Sequence, residues 1–182
     1  MKQRFFPIIV IAVFALGLVS GKTLQTYVFN ESFSVKVNVK FTLIRNGTII
    51  WYFETHNFVT NIGLDFCKQQ LGGSPSTDSA KYVSLSTTTQ TPVQTWTLLP
   101  DELATGGLSR SAGTYLTLGI GQWRIEKIFT ATALTTGIRL SGLHWAISGD
   151  NTLFAVAICV ADTLQASDNF VVQWQISISR SA

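Results

Sequence analysis

The amino-acid sequence predicts an all-β protein, an antiparallel β-sandwich of jelly-roll or Greek-key type with one short helix. Long stretches alternate between apolar and polar residues, turn signals separate these stretches, and a single stretch has helical spacing. Hydrophobic residues make up 46% of the 182 residues and charged residues 13%. This composition excludes a disordered tail, a coiled coil and a histone-like basic protein.

The first 21 residues are organised like a secretory signal peptide. Lys2 and Arg4 precede an apolar stretch from Phe5 to Val19, and the small residues Ser20 and Gly21 follow at the expected cleavage position. An uncleaved anchor is the alternative, but the stretch is shorter than the roughly 20 apolar residues of a membrane crossing. We therefore expect an exported chain that has no membrane association after cleavage.

A long β-hairpin follows. From Phe33 to Leu43 every odd residue is apolar and every even residue is polar, which predicts a half-buried strand. Asn46-Gly47 then supplies the dipeptide that best tolerates the positive φ angles of a two-residue turn. The β-branched and aromatic residues from Thr48 to Phe58 predict the returning strand.

One helix is expected at about Ile62 to Leu71. Thr60 or Asn61 can cap its N-terminus, and Gly72-Gly73 provides the left-handed stop. A short strand is predicted at Lys81 to Thr87. The polar, proline-punctuated stretch from Thr88 to Thr105 predicts a long surface loop.

The C-terminal half predicts five further strands separated by turns. The last strand alternates apolar Phe170, Val172 and Trp174 with polar neighbours, which is typical of a sheet with one solvated face. The predicted strands are Gly113 to Leu118, Gln122 to Ala133, Ile138 to Ser148, Leu153 to Val160 and Phe170 to Ser179.

The segment just after the signal stands outside the hairpin. Residues 22–33 are apolar and β-prone, and an exposed strand of this kind is a template for edge pairing. It is either an extra strand folded onto its own domain, residues 34–182, or a donor strand that completes the sheet of a neighbouring copy. Because a head-to-tail contact of the second kind does not close, it produces a filament.

Several motifs of the chain resemble secreted, Ser/Thr-rich surface proteins of archaea. The motifs are Thr60-Asn61-Ile62-Gly63-Leu64, Tyr82-Val83-Ser84-Leu85-Ser86, Leu99-Pro100-Asp101-Glu102, Gly106-Gly107-Leu108-Ser109-Arg110 and Ser141-Gly142-Leu143-His144-Trp145. In these motifs the chain is similar to the subunits of archaeal threads, which are thin extracellular filaments assembled by donor-strand complementation. The resemblance covers most of the mature chain, and related motifs also occur in structural proteins of phage heads and tails.

The resemblance implies a homopolymer that assembles head-to-tail at the cell surface and serves adhesion or biofilm formation. The donor strand of each copy is then the N-terminal segment, and its candidate pocket-filling side chains are Leu24, Tyr27, Val28 and Phe29. The resemblance also implies glycosylation. Two acceptor triplets are present, Asn30-Glu31-Ser32 and Asn46-Gly47-Thr48, so Asn30 and Asn46 are the candidate sites of N-linked glycans.

The two cysteines, Cys67 and Cys159, have two interpretations. In an exported chain we expect one disulfide between them, and the alternative is a pair of separate buried thiols. A zinc site with His56 and His144 is not expected, because no two of these ligands have the short spacing of a structural zinc site. No metal ion and no cofactor are therefore predicted.

Enzymatic activity is not expected. No Gly-x-Ser-x-Gly motif accompanies the two histidines, and the adjacent carboxylates Asp101 and Glu102 diverge on a loop. Without the signal, 11 basic residues balance 10 acidic ones, so no basic footprint for nucleic acid remains. Besides the filament subunit, the sequence leaves open a monomeric adhesin or sugar-binding domain with an exposed Trp96, and a virion or tail structural protein.

Overall fold

The computed structural model describes residues 32–73 and 78–181. The predicted signal peptide lies outside the described residues. So does the greater part of the predicted donor segment, with Leu24, Tyr27, Val28, Phe29 and Asn30. Ser32 and Phe33, the last residues of that predicted segment, lie in the first strand and pair with Ser181 and Arg180, respectively.

The described chain is mostly β, with one short helix. Its elements are β1 (Ser32–Arg45), β2 (Thr48–Val59), α1 (Asn61–Gly72), β3 (Tyr82–Ser86), β4 (Ser111–Ala112), β5 (Thr114–Gly119), β6 (Gln122–Thr130), β7 (Thr135–His144), β8 (Leu153–Leu164) and β9 (Asn169–Ser181). The predicted hairpin is confirmed as β1 and β2, with Asn46 at φ 51° and Gly47 at φ 76° in the turn. No helix in this part of the chain is long and apolar enough to cross a membrane.

The described strands form one antiparallel sheet in the order β4-β3-β7-β8-β2-β1-β9-β6-β5. β2 joins its two halves, because residues 48–56 pair with β1 whereas residues 57–59 pair with β8. The two ends of the order, β4 and β5, are separated in the chain by Gly113 alone. The sheet therefore bends round on itself into a nearly closed, barrel-like form, and the two separate sheets of the expected sandwich are not confirmed.

The inward-facing side chains fill this form. Phe41, Trp51, Phe53 and Phe170 make a series of stacked aromatic contacts with ring centroids 5.9 to 6.5 Å apart. Trp174 is fully buried on β9. The alternation in β1 and β9 that predicted half-buried strands is thus the pattern that supplies the core.

The stretch predicted as a surface loop also covers part of the sheet. Leu99 is buried and packs with Leu140, Leu153 and Val156 in a second apolar cluster. Trp96 lies against the same cluster and is only partly exposed. Residues 88–105 thus form the predicted surface loop, and their few apolar side chains also cover the outer face of β7 and β8, a contact that the sequence did not indicate.

A bidentate ion pair joins the end of β1 to the connection between β8 and β9. Arg45 at the end of β1 donates Nε–H and an Nη2 hydrogen to the two carboxylate oxygens of Asp168, at 2.9 and 2.7 Å. Asp168 also accepts a hydrogen bond from the backbone N–H of Gln165. The hydrogen bonds from Arg45 are the main reason why the pKa of Asp168 lies below its usual value.

Helix α1 is held tightly against β8. Thr60 caps the helix by accepting the N–H of Gly63, and its hydroxyl donates to the carbonyl of Leu153 at 2.6 Å. A Cβ on Gly63 would lie 2.1 Å from the carbonyl oxygen of Phe154. Only glycine therefore permits this approach between helix and strand.

Gly63→Ala should lower the free energy of unfolding by about 2 kcal/mol, because the added methyl group forces α1 away from β8. Gly72→Ala is the matched control, since no atom lies within 4 Å of its added Cβ. Helix propensity predicts a small gain for this control, at most about 1 kcal/mol. Urea denaturation measures both variants, and equal midpoints for the two would contradict the close contact.

Candidate binding groove

An apolar groove lies between α1 and one end of the sheet. Its volume is about 700 Å³, within the range of ligand and peptide pockets. The groove lies where β1 begins and β9 ends, because Val35, Ile176 and Ile178 line it. We refer to this feature as the α1 groove.

The lining comes from the helix and from strands on both sides of the barrel-like form. It is aliphatic and aromatic except at the Cys67 thiol, Lys68, Gln70 and Ser79. The helix contributes Leu64, Phe66, Cys67, Lys68, Gln70 and Leu71, and the strands and loops contribute Val35, Val59, Ser79, Ala80, Tyr115, Trp123, Ile125, Leu143, Phe154, Ile176 and Ile178.

The floor of the α1 groove is formed by packed aromatic rings, whereas its rim is exposed. Phe66 stacks on Trp145 at 4.7 Å and meets Phe154 edge-on. Around this floor, five apolar or aromatic side chains are between 41% and 74% exposed, namely Val35, Leu64, Leu71, Tyr115 and Ile178. A group of large exposed apolar side chains around a concave surface is typical of a binding site.

The groove opens where the chain that forms β4 and β5 stops pairing with β3 and begins to pair with β6. Residues 111–112 pair with β3, and the N–H of Gly113 donates to the carbonyl of Lys81 at 2.8 Å. From Thr114 onwards the chain pairs with β6 instead. Ala80 and Tyr115 both line the space that results.

The two cysteines lie in different environments. Cys159 is fully buried in the core on β8, and Cys67 is half-buried in the lining of the α1 groove. Both are free thiols, so the expected disulfide is wrong for this structure and the alternative of separate thiols is the arrangement present. Burial raises the pKa of each thiol above its usual value, which keeps both in the unreactive protonated form.

A polar cluster lies under the turn between β7 and β8. The Ser84 hydroxyl is 2.8 Å from His144 Nε2, and the Thr152 hydroxyl is 3.3 Å from His144 Nδ1. Arg110 donates to Thr152 at 3.1 Å and makes a two-point ion pair with Glu102. The cluster thereby ties the loop at residues 102–110 to the β7–β8 turn.

The Ser84–His144 pair has the spacing of a nucleophile and a base, but both residues are fully buried. A substrate therefore does not reach the pair in this conformation. Burial, together with the nearby positive charge of Arg110, lowers the pKa of His144 to about 3. The imidazole is thus neutral at ordinary pH and acts as a structural hydrogen-bonding group.

The remaining candidates lie apart from the α1 groove. Asn46 is exposed at the tip of the β1–β2 hairpin, where a glycan would face solvent. His56 is exposed on β2. Within residues 32–73 and 78–181, no group of three or more His, Cys, Asp or Glu residues could hold a metal ion.

The sequence did not indicate the α1 groove or the buried polar cluster. Both depend on pairings between distant strands, and the residues involved have ordinary local patterns. A single local signal was present: Leu64 and Leu71 are apolar but sit on the exposed side of a helix that has few buried residues. Comparison of the chain with protein-family models, curated proteins and solved structures finds no match in any of the three.

Acidification from pH 7 to pH 5 should lower the free energy of unfolding by about 2 kcal/mol. His144 binds its proton near pH 6.5 when unfolded but only near pH 3 when folded, so the unfolded state takes up more protons across this interval. His144→Gln should abolish most of this dependence. Urea denaturation at the two pH values measures the effect.

His56→Gln is the control for this experiment, because it leaves the Ser84–His144–Thr152 cluster intact. This variant should lose as much stability on acidification as the unmodified chain. An undiminished pH dependence in His144→Gln would show that the buried imidazole is not its source.

Proposed function

We propose that this protein is an exported structural subunit of an extracellular surface filament that serves adhesion or biofilm formation. Each copy inserts its N-terminal segment into the α1 groove of the next copy, and the chain polymerises head-to-tail. The partner of each copy is therefore a second copy of the same chain. In this proposal the protein carries N-linked glycans at Asn46 and Asn30 and has no enzymatic activity. The observation that carries this proposal is the open, apolar α1 groove.

The chemistry of the groove fits the segment that precedes β1. The lining is almost wholly apolar, and residues 22–31 contain Leu24, Tyr27, Val28 and Phe29, with charges only at the two ends of the segment, Lys22 and Glu31. Fully extended, these ten residues reach about 33 Å, which is ample for a strand. β1 begins at Ser32, and its Val35 lines the groove, so the first described residues of the chain are close in sequence to this surface.

Covering the exposed rim supplies a modest driving force. Complete burial of one large apolar side chain contributes roughly 1.5 to 3 kcal/mol, so covering five half-exposed ones contributes on the order of 5 kcal/mol. Association of two chains costs at least about 4 kcal/mol in lost freedom of motion. Apolar contact with the rim therefore leaves little net affinity by itself, and a durable joint needs backbone hydrogen bonds as well.

A deletion tests the segment. Negative-stain electron microscopy of the secreted chain should show filaments, and a chain that lacks residues 22–31 should remain as single particles. If the intact chain also forms only single particles, the filament proposal fails. Closed particles of fixed size would instead favour the virion class of structural protein.

A pair of double variants tests the groove. Leu64→Glu with Ile178→Glu puts two charges on the groove rim and should reduce filament mass at least tenfold, because a charged rim no longer favours an apolar segment. Leu64 is already 61% exposed and Ile178 41% exposed, so the fold should tolerate the change.

Leu134→Glu with Ile50→Glu is the matched control. These positions are 68% and 47% exposed and do not line the groove. The control should assemble like the unmodified chain, as measured by the mass that sediments. Equal loss in both double variants would show that added charge, rather than the α1 groove, controls assembly.

A further inference from the structure

One side of β5 has no partner within the described part of the chain. β5 pairs with β6 along one edge, and no described strand pairs with its other edge. Natural proteins commonly protect such an edge with charged residues or proline. The sequence of β5, Thr-Tyr-Leu-Thr-Leu-Gly, contains neither. The edge is thus chemically open to another strand.

The backbone groups at this edge can be assigned from the joint at Gly113. Its N–H points to β3, away from β6, since it donates to the carbonyl of Lys81. Successive residues of a strand direct their backbone groups to opposite sides. Tyr115 and Thr117 therefore present their N–H and C=O groups at the free edge. The N–H and C=O groups of Leu116 point toward β6.

The free edge and the α1 groove are continuous. Tyr115 belongs to both, since it lies on β5 and lines the groove. Its side chain is 61% exposed, which leaves room for a chain alongside it. A strand laid along β5 can therefore direct alternate side chains into the groove while its backbone pairs with the edge.

We propose that residues 22–31 of a second copy add as a strand to the free edge of β5, with Tyr115 and Thr117 as its backbone partners. This inference rests on the proposed filament function and specifies where the joint forms. It supplies the hydrogen bonds that apolar contact with the groove rim lacks. The inserted segment becomes a tenth strand beside the nine described, at the end of the sheet order.

Thr117→Pro in the full chain tests the pairing. Proline removes the N–H at the free edge, and it is tolerated there because that N–H makes no bond to β6. Thr117→Ala keeps the N–H and is the control. The proline variant should unfold at the same temperature as the control, within about 2 °C, and yield at least tenfold less sedimenting filament.

Hydrogen exchange on the unmodified chain gives an independent measurement that does not depend on how the proline variant folds. Filament and monomer fractions are separated by sedimentation and compared amide by amide. The N–H groups of Tyr115 and Thr117 should exchange at least tenfold more slowly in the filament. The N–H of Leu116, already paired with β6, should change much less.

The outcomes separate this inference from the proposed function. Filaments that form normally in Thr117→Pro, with unchanged exchange at Tyr115 and Thr117, would overturn the β5 pairing while leaving the filament intact. Absence of any filament fraction from the unmodified chain would overturn both. Protection of Tyr115 and Thr117 in the monomer already would show that the chain's own segment occupies the edge, which also contradicts pairing between copies.

Discussion

The architecture depends on one short stretch of chain that has to serve both ends of the sheet. β4 pairs with β3, β5 pairs with β6, and Gly113 is the residue between them. A Cβ at this position would lie 2.6 Å from Cγ2 of Ile125, so a larger residue would push the joint away from β6. Because the chain passes through this point, the sheet curves far enough to enclose a core yet remains open beside β5.

The same joint explains why the core and the groove coexist. Where the chain is paired on both sides, as at Val39 and Phe41 of β1, the inward side chains are fully buried. After Gly113 the chain leaves β3, and apolar side chains such as Tyr115 reach solvent there. Helix α1 covers only part of the gap between β3 and β5. Exposed apolar surface at an unprotected edge is a liability for a solitary domain. It becomes useful when a second chain covers it, and this is the physical basis of our functional proposal.

Local patterns predicted much of the secondary structure. The alternation from Phe33 to Leu43 and the Asn46-Gly47 turn predicted the first hairpin. The capping residue Thr60 and the left-handed Gly73 lie at the two ends of the helix, close to the predicted limits. In each case the signal lies within a dozen residues. The sandwich was not confirmed, because closure depends on β2 changing partners and on the joint at Gly113, neither of which has a periodic signal.

The candidate site was less predictable for the same reason. The α1 groove combines residues from Val35 to Ile178, and the cluster around His144 joins Ser84, Arg110 and Thr152 across three separate parts of the chain. The expectation for Cys67 and Cys159 came from the number of cysteines and the compartment, but pairing requires proximity, which composition does not contain. Trp96 was expected to be exposed because its neighbours are polar, whereas a nearby apolar cluster partly covers it.

The position of β1 also has a mechanical consequence. β1 carries the N-terminal connection at Ser32 and lies between β2 and β9, paired antiparallel with both. A tensile load applied at Ser32 along the strand acts in shear on the ladder with β9 and, from Asn38 onwards, also on the ladder with β2, so many hydrogen bonds share the force. An edge strand pulled from its end would instead open one bond at a time. The domain is therefore built to resist traction through its N-terminus, and its lifetime under load is governed by the unfolding rate and not by equilibrium stability.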